Sequence, residues 1–319
     1  MKKLVKITGI IFGIVFLILI CMVLYVNFTG IPKYEVVLPE YTHVSTPESI
    51  ERGKKLALTL CAGCHKNHET GKLTGTLMLD APPEFGKIYS QNITQDSTYG
   101  IGNWTDAELL YLLRTGIKKD GQYIPPYMAK LTVTSDQDIN AIISFLRSDD
   151  PLVAPNPTPD QPSEVSFLTK LLSHLVFKPM PMPTKPIKMP DTTDRVALGK
   201  YYIQTLDCFS CHSADFKTND YLVPENSKGY MAGGNKPLNM EGQIIATSNL
   251  TPHKTSGIGN WTEEQFIKAV KFGLVENDRA LRFPMLPFVY LTDYEIASMY
   301  AYLKTLPPVD NKVPRVFYD

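Results

Sequence analysis

The sequence is poor in cysteine and tryptophan and has no surplus charge. Five cysteines in 319 residues are too few for a disulfide-stapled scaffold. Lys plus Arg number 32 and Asp plus Glu 32, so the basic surface of a nucleic-acid binder is missing. Charged residues are 20% against 44% apolar, which excludes wholesale disorder and supports ordinary globular cores. Long apolar runs are absent with one exception. Lys2, Lys3 and Lys6 flank an uncharged stretch from Ile7 to Val26. As a helix rising ~1.5 Å per residue, it spans a ~30 Å hydrocarbon core. The basic flank puts the N-terminus in the cytoplasm and everything after Phe28 outside, at the periplasmic face of an inner membrane or its equivalent. The run ends in Leu24-Tyr25-Val26-Asn27, not in the small residues of a cleavage site, and Ile20 before Cys21 is too bulky for lipid processing. An uncleaved anchor over residues 1–28 is therefore expected, with Cys21 an apolar filler. A tether over 29–46 would reach at most ~70 Å when fully extended.

Beyond the anchor, the chain repeats itself. Asn92-Ile93-Thr94 and Gly100-Ile101-Gly102-Asn103-Trp104-Thr105 recur 157 residues later as Asn249-Leu250-Thr251 and Gly257-Ile258-Gly259-Asn260-Trp261-Thr262. The same offset links Gly116 to Gly273, Met128 to Met285, Asp136 to Asp293 and Leu146 to Leu303. Upstream, Cys61-Ala62-Gly63-Cys64-His65 matches Cys208-Phe209-Ser210-Cys211-His212 at offset 147, so the second copy holds ten extra residues between. A loop insertion accommodates them at small entropic cost.

Each copy reads as helical. Thr105 to Glu108, Thr262 to Gln265 and Thr292 to Glu295 are capping boxes, and Gly116 and Gly273 stand where helices stop. Ile139, Ile142, Ile143 and Leu146 form one buried stripe, matched by Ile296, Met299, Tyr300 and Leu303. Helices are also expected at 47–60, with Ser45 or Thr46 as cap, and at 193–206. The expected fold is all-α, with two tandem helical domains, 47–148 and 192–308, and a tail at 309–319. Residues 149–191, rich in proline, read as a stiff connector. Within it, 163–176 forms a short helix with Leu168, Leu171, Leu172 and Leu175 on one face.

Cys-x-x-Cys-His is the attachment signal of c-type haem. Two thiols about one helical turn apart reach the two vinyl groups of one porphyrin, and the adjacent histidine supplies a nitrogen to iron. Two covalent haems are expected, through Cys61 and Cys64 with His65, and Cys208 and Cys211 with His212. Zinc wants four ligands, and a thiol-redox pair wants a strand–helix setting. Met128 and Met285 occupy equivalent proline-rich segments and read as the opposite axial ligands. His/Met ligation raises the reduction potential and closes the iron to outside ligands, as an electron carrier needs. Trp104 and Trp261, one per copy, are candidates to cover the porphyrin edge. Asn92 and Asn249 read as turn formers. His43, His68, His174 and His253 have no counterparts and read as solvated surface residues.

Taken together, these motifs resemble the cytochrome c domains of the cytochrome subunits of membrane-bound alcohol, aldehyde and gluconate dehydrogenases. The resemblance covers roughly 47–148 and 192–308. It implies thioethers at the four motif cysteines, His65 and His212 as proximal ligands, and Met128 and Met285 as distal ones. Those subunits typically carry three such domains, where this chain has two motifs. Their Pro-x-Met-Pro pattern is loosened here to Pro126-Tyr127-Met128-Ala129. The expected role is a non-enzymatic relay of single electrons. Its partners would be a dehydrogenase or quinol-oxidising complex on one side and a terminal oxidase or another cytochrome on the other, with no nucleic acid. The alternative is a dihaem peroxidase or sulfur-compound-oxidising enzyme with a displaceable ligand at the first haem.

Overall fold

A computed structural model describes residues 2–275 and 280–314. The first helix, α1 (Lys2–Thr29), is long and apolar enough to cross a membrane, and nearly all its side chains face outward. The following residues lie along the first repeat instead of swinging free. Tyr34 N–H donates to the Gly121 carbonyl at 2.9 Å, and Asn140 Nδ2 donates to the Val44 carbonyl at 2.6 Å. The ~70 Å reach of an extended tether is therefore not used.

The first repeat holds α2 (Pro47–Leu60), α3 (Ala62–His65), α4 (Asp106–Thr115) and α5 (Asp136–Leu146). Thr46 is the cap of α2, and the capping box Thr105–Glu108 opens α4. Gly116 ends α4 at φ 79°, a conformation only glycine adopts without cost. The core gathers Leu56, Leu109, Ile139, Ile142, Ile143 and Phe145, all buried as the helical spacing requires.

The connector is extended but tied down. Strand β1 (Gly86–Lys87) pairs antiparallel with β2 (Glu164–Val165), and α6 (Phe167–Leu175) follows. The face of α6 buried against the protein is polar: Thr169 and Ser173 are inside, while Leu168 and Leu175 are 42% and 65% exposed. The buried hydroxyls are satisfied, Thr169 donating to the Phe85 carbonyl and Ser173 to that of Thr169. His174 packs on Tyr25 and reaches Thr29 and Gly30, so α6 sits at the exit end of α1.

The second repeat holds α7 (Arg195–Thr205), α8 (Cys208–His212), α9 (Glu263–Phe272) and α10 (Asp293–Thr305). Its core is built from Tyr202, Ile203, Phe266, Ile296, Met299 and Leu303. The first and last helices of each repeat cross at a glycine. A Cβ on Gly53 would fall 1.7 Å from the Ala141 carbonyl oxygen, and one on Gly199 1.8 Å from that of Ser298. Gly53 and Gly199 are 146 apart, but the cysteine motifs are 147 apart. The one extra residue is absorbed at Asp207, whose backbone is left-handed at φ 56°.

Contacts between the halves are reciprocal. Tyr201 of α7 donates its hydroxyl to Asp138 Oδ2 of α5 at 2.6 Å, and Lys55 of α2 donates to Glu295 of α10. Residues 55 and 201 are equivalent, as are 138 and 295. Arg52 completes the neutralisation of the fully buried Asp138, and Tyr202 donates to Glu295.

Candidate haem-binding sites

In each repeat the cysteine motif forms a short helix directly after the long one, α3 after α2 and α8 after α7. None of the four motif cysteines is paired in a disulfide. Burial pushes Cys61 up to about 12 and Cys64 to about 11, with Cys211 at about 12 and Cys208 raised as well. A thiol-redox pair needs the opposite shift, toward a thiolate. Among the described residues, no group of three or more His, Cys, Asp and Glu side chains converges to hold a metal ion.

The histidines are oriented identically. His65 Nδ1 lies 2.7 Å from the Gln91 carbonyl, and His212 Nδ1 lies 2.8 Å from the Ser248 carbonyl. A carbonyl only accepts, so Nδ1 holds the proton and Nε2 keeps its lone pair for iron. Burial lowers the pKa of both imidazoles, opposed by the carbonyl contact, which favours the neutral ligating form.

Those carbonyls are fixed by the repeated Asn-x-Thr segment. Asn92 Oδ1 accepts from the backbone N–H and hydroxyl of Thr94 at 2.9 and 2.7 Å, and Asn249 does the same for Thr251 at the same two distances. Their amides bind the chain leaving each repeat, Asn92 at Asn156 and Thr158, Asn249 at Val309. The expected turns are present, and they set the residue just before each asparagine. Gln91 and Ser248 were not singled out in the sequence because a backbone acceptor leaves no residue signature. Their place beside a repeated motif was the available signal.

The methionine segments are equivalent in backbone. Met128 N–H bonds the Pro125 carbonyl at 3.3 Å and Met285 N–H that of Arg282 at 2.9 Å. Leu131 returns to Leu113, and Phe288 to Val270, both at 2.8 Å. Met128 packs with Cys61, Ala62 and Trp104 against the first core, while Trp261 and Cys208 pack against the second. Lys119 lies 5.4 Å over the Trp104 ring. Three of the four unmatched histidines are not simply solvated. His43 meets Ser144 at 2.9 Å, His174 meets Gly30 at 3.0 Å, and His253 meets Ser256 at 2.7 Å.

Residues 50–149 match the cytochrome c family. The first repeat is a cytochrome c domain. Such domains hold haem c covalently and transfer electrons, and the paired thiols and oriented imidazole of the first repeat fit that group. The second repeat has the same fit. The chain is 32% identical to the fructose dehydrogenase cytochrome subunit of Gluconobacter japonicus, over 81% of this chain and 53% of that one. It is 28% identical to the gluconate 2-dehydrogenase cytochrome c subunit of Pantoea cypripedii, over 82% and 60%. It is 25% identical to a diheme cytochrome c-type protein of Cereibacter sphaeroides, over 78% and 83%. The chain thus spans little more than half the length of the dehydrogenase subunits it resembles.

Proposed function

We propose that this chain is a membrane-anchored dihaem cytochrome c relaying single electrons outside the cytoplasm. Cys61 and Cys64 hold one haem and Cys208 and Cys211 the other, through thioethers. His65 and His212 are the proximal ligands, Met128 and Met285 the distal ones, and Trp104 and Trp261 lie against the porphyrin edges. When bound, haem iron supplies reversible one-electron exchange. The residues of the chain fix its axial positions, exclude water and orient it toward partners. The observation that carries this reading is the repeated Nδ1–carbonyl bond, which leaves both motif histidines with the same nitrogen free.

The donor is a dehydrogenase or quinol-oxidising complex, and the acceptor a terminal oxidase or another cytochrome. Cytochrome subunits of fructose, alcohol and gluconate dehydrogenases among the relatives support the former. The length and apolarity of α1 support anchoring in the inner membrane with a cytoplasmic N-terminus, as do Lys2, Lys3 and Lys6. The outward apolar face of α6 beside the exit end of α1 agrees with a bilayer at that level.

The test is purification of the tagged full-length chain from its native membrane in mild detergent. A dehydrogenase should co-purify, and adding that enzyme's substrate should reduce the haems. Haems that dithionite reduces, but no co-purifying enzyme's substrate does, would refute the relay.

A further inference from the structure

The two methionine segments differ at one place. Beneath Gly116 lies the side chain of Lys130; beneath Gly273, 157 residues on, lies the ring of Pro287. A Cβ on Gly116 would meet Lys130 Cε at 2.4 Å, and one on Gly273 would meet Pro287 Cγ at 2.9 Å. The two side chains fill the same space under the same helix end. Pro287 stiffens its segment through its ring. Lys130 has no ring, but its ammonium donates to the carbonyls of Ile124, Pro125 and Met128, each at 2.8 Å. Those three acceptors span the whole bend that presents Met128.

We propose that Lys130 is the positioning residue for the Met128 thioether, replacing with three hydrogen bonds the ring by which Pro287 holds the Met285 segment. The inference rests on the reading of Met128 as an axial ligand. Asp207, the residue inserted before the second cysteine motif, lines the same small cavity as Lys130. Each of these two residues is particular to one copy, and the cavity they line lies between the first methionine segment and the second attachment motif. In the reciprocal place the contact is apolar. Leu286, beside Met285, lies 3.4 Å from where a Cβ on Gly63 of the first motif would stand. The loosened proline pattern around Met128 is thus compensated rather than relaxed, and the first site is held closed.

The experiment compares full-length, haem-loaded wild type with Lys130→Ala, Lys130→Pro and Met128→Ala. It reads the sulfur–iron charge-transfer absorption of the oxidised protein, carbon monoxide uptake by the reduced protein, and both reduction potentials. Intact mass and circular dichroism check haem content and folding. Lys130→Ala should lose about half of the sulfur–iron absorption, take up about one carbon monoxide per chain and lower the potential of one haem only. Lys130→Pro should keep wild-type absorption and take up none. Unchanged absorption and potentials in Lys130→Ala overturn the proposal, as does a folded Lys130→Pro that loses ligation. If Lys130→Ala does not accumulate, Lys130→Pro decides alone. Met128→Ala separates this idea from the reading beneath it. Full sulfur–iron absorption there means Met128 is not the ligand and both fall; halved absorption there beside an unaffected Lys130→Ala removes only the lysine.

Discussion

In the first repeat a fully buried Asp138 is neutralised by Arg52 of its own half and Tyr201 of the other. In the second, Glu295 is met by Tyr202 of its own half and Lys55 of the other. The geometry is shared while the chemistry is exchanged: a cation comes from within in one case and from across the junction in the other. The methionine segments repeat the lesson, with an ammonium under one and a proline ring under the other. What persists between the copies is where a constraint is applied, not the side chain that applies it.

The largest effect should come from removing each methionine in turn. Met128→Ala and Met285→Ala should each open one haem, so that the reduced protein takes up about one carbon monoxide per chain and one potential falls. Equal behaviour supports equivalent sites. A variant without carbon monoxide uptake would show that its half is ligated otherwise, and would break the comparison at its centre.

A smaller effect should separate the two carboxylates. Removing Asp138 leaves the Arg52 guanidinium, only 25% exposed, without its partner. Asp138→Ala should therefore cost about 3–5 kcal/mol in denaturant unfolding. Glu295→Ala should cost less, because the flexible stem of Lys55 can carry its ammonium to solvent more readily than Arg52, whose guanidinium is also held by Met189. Glu295 is also the acid-sensitive tie. Burial raises its pKa, but the hydrogen bonds from Lys55, Tyr202 and Thr292 outweigh that and hold the carboxyl below its ordinary value. Its contribution is complete above the unfolded carboxylate pKa of about 4.3 and is lost as pH falls through the lower folded one. Thermal scans of Glu295→Gln should accordingly show a shallower acid decline than wild type; parallel curves would remove Glu295 from this role.

The smallest effect concerns the crossings. Gly53→Ala and Gly199→Ala force a methyl onto a backbone oxygen that cannot swing aside, and each should destabilise by about 1–3 kcal/mol. Matching losses in chemical unfolding would mark the crossings as equivalent; a neutral outcome at either would show that helix pair to be looser than its partner.

Much of this was legible in the sequence. The capping boxes at Thr105, Thr262 and Thr292, the stripes on α5 and α10, and the two cysteine motifs all rest on local spacing, which a sequence displays directly. What stayed hidden depends on tertiary neighbours. The glycine crossings have an offset of 146, not 157, and so lie outside the register of the main repeat. The carbonyls of Gln91 and Ser248 are main-chain groups that any residue supplies. The leucines of α6 form the expected face, but spacing cannot say whether a face points inward. Here two hydroxyls with nearby carbonyl acceptors took the inner side.

If each half of the chain beyond α1 holds haem through bonds that cannot dissociate, both haems stay on the polypeptide when it unfolds. The most direct measurement is the intact mass of the purified full-length chain under denaturing conditions, where only covalent attachment survives. A single species should appear at the polypeptide mass plus two haems. A chain carrying one haem, or none, would contradict it.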